Sequence, residues 1–214
     1  MRSVVAVFLM VVGLLLAAGP VSASTPARKY MPKKVDPAQG IVVGSVFERA
    51  VFQPYGAEFY IETPQGETIV VSTSGRGGND FVNVPPKTPK GVGRLFALQL
   101  PPGTYTVTGW ALDYGAKMKA SVPRDVPIQF TVEAGKAIYL GRFDASRFME
   151  MAYIHDDSRD EDMAQISKKP VLATLALEDR ALDVQGWWLP EPAGKAVLER
   201  LQQAGAGGKA PGGG

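Results

Sequence analysis

The chain has 214 residues, 45% of them hydrophobic and 21% charged, with 24 glycines, 17 prolines and no cysteine. Lys and Arg total 23 against 21 Asp and Glu, and the resulting +2 is too balanced for a non-specific nucleic-acid binder. Without cysteine this chain has no disulfide, thiolate zinc site or cysteine nucleophile, one histidine excludes a multi-histidine metal site, and the apolar fraction is that of a folded domain.

Residues 1–23 have the order of a secretory signal peptide. Arg2 supplies a short basic start, residues 4–18 form an uncharged apolar run, and Val21, Ser22 and Ala23 offer small residues for cleavage. The run falls short of the ~20 residues that span a bilayer, so no membrane span is expected after cleavage. A periplasmic or secreted location follows. Residues 24–39, with Pro26, Pro32 and Pro37, read as an extended basic leader.

Residues 40–155 punctuate like a sheet protein. A Val-rich strand is predicted at 41–48, and strands at 58–63 and 67–72 flank the turn Thr63-Pro64-Gln65-Gly66. Residues 72–90 form a long loop in which Arg76, Gly77 and Gly78 could hold an anion or a partner. Strands at 93–100 and 104–113 flank Pro101-Pro102-Gly103-Thr104 and are predicted to pair as a hairpin, with Phe96, Leu98, Leu100, Tyr105 and Val107 on the apolar side. Ile128, Phe130 and Val132 alternate with polar residues before the turn Glu133-Ala134-Gly135-Lys136 and a return strand at 137–143. Short strands at this spacing, with no long helical pattern between them, predict an all-β fold. It is expected to be a seven- to eight-stranded antiparallel sandwich with a small helical C-terminal extension.

The extension covers 156–203. One more strand is predicted at 148–154. Ser158 and Glu161 have capping-box spacing, which places a helix at 159–167 that stops before Pro170. Residues 171–184 fit either strand or helix, 186–190 form an aromatic loop, and 193–203 carry a second helical pattern. The tail 204–214, AGAGGKAPGGG, lacks the apolar side chains that would order it.

The run LPPGTYTVTGW followed by FTVEAGKAIYLGRF resembles transthyretin-like or carboxypeptidase-regulatory-like β-sandwich domains, in particular those of poorly characterised proteobacterial envelope proteins. Leu100, Pro101, Gly103 and Tyr105 match one element of that pattern, and Val132 and Gly135 match a later one. The resemblance covers residues 40–170 and implies a sandwich that serves as an adhesion, carbohydrate-binding or accessory module. It supplies no catalytic motif.

Asp156, Ser158, Asp160 and Asp162 alternate as in half a calcium loop, but Glu161 and Ser167 occupy the positions where Gly and Glu are needed. The acids are therefore expected to stabilise a helix start. His155 stands beside Asp156 and Asp157 with no serine in a nucleophile elbow, so no catalytic residue is assigned. The ligand-binding candidates are Trp110, Tyr114, Trp187 and Trp188, since an exposed ring stacks on a sugar or recruits a partner. The chain is expected to be a non-enzymatic envelope module without metal or cofactor. Its expected partner is an envelope protein, or alternatively a glycan or peptidoglycan, and not a nucleic acid.

Overall fold

A computed structural model describes residues 24–49, 55–73, 82–88, 91–192, 195–196 and 199–200. The predicted signal peptide, Arg76, Gly77, Gly78 and the tail lie outside the described residues, as does most of the second helical pattern. In chain order the first strands are β1 (Thr25–Pro26), β2 (Gly40–Arg49), β3 (Ala57–Glu62), β4 (Thr68–Ser72), β5 (Val82–Thr88) and β6 (Gly91–Leu100). They are followed by β7 (Gly103–Asp113), β8 (Met118–Ala120), β9 (Ile128–Val132), β10 (Ala137–Ser146) and β11 (Met151–His155). Helices α1 (Arg159–Ile166) and α2 (Pro170–Ala173) precede β12 (Leu177–Asp179) and β13 (Val184–Trp188).

These strands form two packed mixed sheets, an all-β sandwich. The six-stranded sheet runs β1-β4-β3-β7-β8 with β9 also on β7, and the seven-stranded sheet runs β13-β11-β10-β2-β6-β5 with β12 also on β10. The pairing is not purely antiparallel. β10 lies parallel to β2 and to β12, and β1 lies parallel to β4.

Alternation placed the right side chains in the core. Phe59, Ile61, Phe96, Leu98, Tyr105, Val107, Phe130 and Val132 all face the gap between sheets. Phe143 sits edge-on to both Phe59 and Phe96, tying the layers together. The β3–β4 hairpin forms as predicted, closed by a hydrogen bond from Gly66 N to Thr63 O at 2.9 Å.

The Pro101-Pro102 turn does something else. β6 belongs to one sheet and β7 to the other, so the chain arches across the core instead of forming a hairpin. Two consecutive prolines lack the N–H groups that a ladder needs, and the Tyr105 hydroxyl donates to Pro101 O at 2.9 Å to fix the arch. The turn at 133–136 is likewise an arch, from β9 in one sheet to β10 in the other.

The leader is more than a solvated lead-in. Ala27 is buried in the core and Tyr30 packs against it. The predicted helix at 159–167 is α1, although Ser158 makes no side-chain capping bond and Glu161 reaches Arg142 instead. The predicted aromatic loop is largely strand: β13 pairs with β11, Trp187 opposite Ala152 and Trp188 opposite Met151. The long loop also contains a strand, because the backbone of β5 pairs with β6.

Candidate functional site

Helices α1 and α2 cover part of the outer face of the seven-stranded sheet. Ile166 and Leu172 pack with Ile41, Val43, Leu95 and Ala97 in a second apolar cluster. Beside it lies a buried polar junction. Asp162 Oδ2 accepts from Ser45 Oγ at 2.6 Å and from the Tyr139 hydroxyl at 2.8 Å, while Oδ1 accepts from Arg142 Nη2 at 2.6 Å. Arg142 also reaches Glu161 at 3.2 Å. Burial works against the charged guanidinium, but Asp162 and Glu161 outweigh it and hold the group above its ordinary range. Asp162, which alternation made a candidate calcium ligand, is thus spent on the protein itself. Among the described residues no cluster of three or more His, Asp or Glu could hold a metal ion.

β10 can present both Tyr139 and Arg142 to Asp162 because it contains a bulge. Tyr139 pairs with Val43 and Arg142 with Ser45, so β10 carries one extra residue there. Gly141 occupies that stretch at φ +96°, and a Cβ would lie 2.6 Å from His155 O. Farther along the same face, Asp144 is buried against Arg49 Nε at 2.8 Å. His155 stands between two carboxylates, with Nε2 3.6 Å from Asp144 and Nδ1 3.4 Å from Asp157. The imidazole therefore faces acids rather than a hydroxyl nucleophile.

The end of the sandwich where β2, β7 and β10 finish is different in character. Glu48, fully buried, takes both Nε and Nη2 of Arg147 on one carboxylate oxygen at 2.7 and 2.6 Å. Burial pushes the Glu48 carboxyl up, and the charge of Arg147 pulls part of that back. The Arg147 guanidinium lies 4.7 Å from the ring centre of Tyr114 and 5.7 Å from that of Tyr55. The Tyr114 hydroxyl donates to Glu150 at 2.8 Å, and Lys119 meets the same carboxylate oxygen at 2.6 Å. Burial first, then Glu150, pushes the Tyr114 hydroxyl up to about 12. Glu150 holds its position at φ +53°, a conformation that side-chain-bearing residues rarely adopt. On this framework two aromatic rings face solvent: Tyr55 is 59% and Phe148 73% exposed.

The four predicted aromatics separate into two kinds. Trp110 is 0% exposed and stacks on Phe59 in the core, and Trp187 is 2% exposed with its indole N–H donating to Val122 O at 2.8 Å. Neither can present a face to a sugar. Tyr114, just after β7, and Trp188, on β13, are half-buried and flank Glu150 from the two sheets. Tyr114 binds its carboxylate, while Trp188 pairs with Met151 beside it. Sequence reasoning missed Tyr55 and Phe148. The available signal was a run of large residues, Arg147-Phe148-Met149-Glu150, that breaks the alternation of the strands around it.

In the comparisons with known proteins, no protein-family model, no curated protein and no solved structure matches this chain.

Proposed function

We propose that this chain is a non-catalytic, exported module of the cell envelope that binds a protein partner through the Tyr55–Phe148 end of its sandwich. The observation that carries this reading is the pair of solvent-facing rings, Tyr55 and Phe148, beside the Glu48–Arg147 and Lys119–Glu150 ion pairs. Aromatic side chains next to an arginine are the composition of interface hot spots. The likeness of LPPGTYTVTGW to transthyretin-like accessory domains supports the same class, and the apolar run at 4–18 supports export. Against the glycan reading stand Trp110 and Trp187, whose rings are used by the core. A catalytic reading gains nothing from His155, whose ring faces two carboxylates.

The test is photo-crosslinking in the native envelope with a benzophenone side chain at position 148, compared with one at exposed position 168. The expected result is one dominant protein adduct from position 148, lost when Tyr55→Ala is added. Adducts of equal pattern from both positions would remove the reading, and enrichment of glycan alone would replace it with the carbohydrate alternative.

A further inference from the structure

At the opposite end of the sandwich, the outer edge of β9 has no strand partner among the described residues. β9 pairs with β7 on one side, and among the described residues no backbone hydrogen bond reaches Ile128–Val132 on the other. Its sequence, Ile-Gln-Phe-Thr-Val, contains no charge and no proline. Edge strands are ordinarily blunted by lysine, proline, a bulge or a covering segment, because an open row of N–H and C=O groups templates further pairing.

Beside β9 the structure leaves a groove of about 520 Å³. Buried Phe130 and Ile138 line it together with half-buried Leu182, and Thr131 and Glu133 border it on the β9 side. Its far side is the stretch that follows β12. There Arg180 N and Leu182 N donate to Tyr139 O and Leu140 O of β10, which keeps that stretch along the margin of the seven-stranded sheet. The groove therefore separates the free margin of one sheet from the free margin of the other.

We propose that this groove takes an extended segment of another polypeptide, added to β9 as a further antiparallel or parallel strand. A row of backbone donors and acceptors at strand spacing is complemented by another extended backbone. The charges nearby select its character. Arg180 and Lys136 are balanced by Glu178, which accepts from them at 3.3 and 2.6 Å, and by Glu133 on the border, so the groove has little net field to attract a charged segment. A neutral segment fits, with apolar side chains on alternate positions over Phe130 and Ile138 and hydroxyl-bearing residues between them. A second copy of this chain fits less well. Two β9 strands paired antiparallel about Phe130 would bring Arg124 of one copy toward Lys136 of the other, like charge toward like charge. This surface is independent of the Tyr55–Phe148 end, since it borders the start of β7 and β10 rather than their finish.

The experiment is amide hydrogen exchange on the full chain, with and without a peptide of alternating valine and threonine carrying a lysine at one end and a glutamate at the other. The expected result is exchange slowed at least about tenfold at the alternate amides of β9 that face away from β7, the ones a newly added strand would engage. The same peptide methylated on every backbone nitrogen gives no slowing. The Tyr55→Ala, Phe148→Ala double variant keeps the full effect, which separates this site from the partner end. Three results would overturn the proposal. These are unchanged exchange at β9 with millimolar peptide, equal protection from the methylated peptide, or protection that rises with protein concentration alone.

Discussion

Asp162 on α1 and Arg142 on β10 meet at 2.6 Å beneath the helix, with side chains 0% and 7% exposed. Each oxygen of Asp162 is engaged, one by Arg142 and the other by Ser45 and Tyr139. A helix of eight residues is marginal on its own, so this junction and the apolar contacts of Ile166 are what keep α1 on the sheet.

Replacing Asp162 by Ala strands a buried guanidinium and is expected to cost about 3–5 kcal/mol. The Arg142→Met, Asp162→Leu pair should recover part of that loss, because it removes the buried charge but leaves the hydroxyls of Ser45 and Tyr139 without their acceptor. Urea unfolding measures both. A loss under about 1 kcal/mol for Asp162→Ala, the scale of an exposed pair, would mean that the apolar face alone holds the helix.

Gly141→Ala attacks the same junction through the backbone. The new methyl group would sit 2.6 Å from His155 O at φ +96°. A substitution that fits neither the space nor the backbone should destabilise by more than about 1 kcal/mol. Loss of the bulge would also release α1, so amide exchange over Arg159–Ile166 should rise before global unfolding. Unchanged exchange there would separate the bulge from the helix contact.

The Glu48 carboxyl is raised by burial above its ordinary 4.5. The folded chain therefore holds this proton at pH values where the unfolded chain has released it, and stability falls as pH rises through the range just above 4.5. Glu58 is raised too, by burial first, and adds a slope of the same sign. Glu48→Gln should flatten the pH dependence of the unfolding midpoint in that range without abolishing it. An unaltered slope would show that Glu48 does not titrate differently in the two states.

Trp187→Ala should cost about 3–5 kcal/mol, as removal of a large core ring does. Its neighbour Trp188 is half-buried, so Trp188→Ala should cost distinctly less. Thermal melts of the two variants provide the comparison. Equal losses would mean that β13 depends on both rings alike.

What the sequence made legible was which side of each strand is buried, because alternation is a local property of the chain. Phe96, Leu98, Leu100, Tyr105 and Val107 were placed on one apolar side, and all five line the core. Their pairing was not legible. Pro101 and Pro102 look the same in a hairpin as in an arch, and only the distant partners β2 and β3 decide between them. Asp162 shows the same limit at the level of a side chain. An acid in the first turn of a helix has a sufficient local explanation, and nothing nearby announces Arg142 across the sheet. Tyr114 was singled out with Trp110 at the end of a predicted strand, as an aromatic that could stack on a ligand. Tyr55 and Phe148 were not, because exposure is a property of the folded surface.

The parallel seam between β2 and β10 sets Ile41 beside Ala137 and Arg49 beside Ser146. Its consequence is one of timing. Until the ribosome has delivered residue 146, the Ile-Val-Val run of β2 has a partner on one edge only, and the seven-stranded sheet cannot close. Closure of so distant a pair is a slow step, on the order of milliseconds to seconds, and it waits on residues about two thirds of the way along the chain. A chain interrupted before β10 would carry β2, nine of whose ten residues are buried in the finished fold, as an open edge, the form in which it is most apt to aggregate.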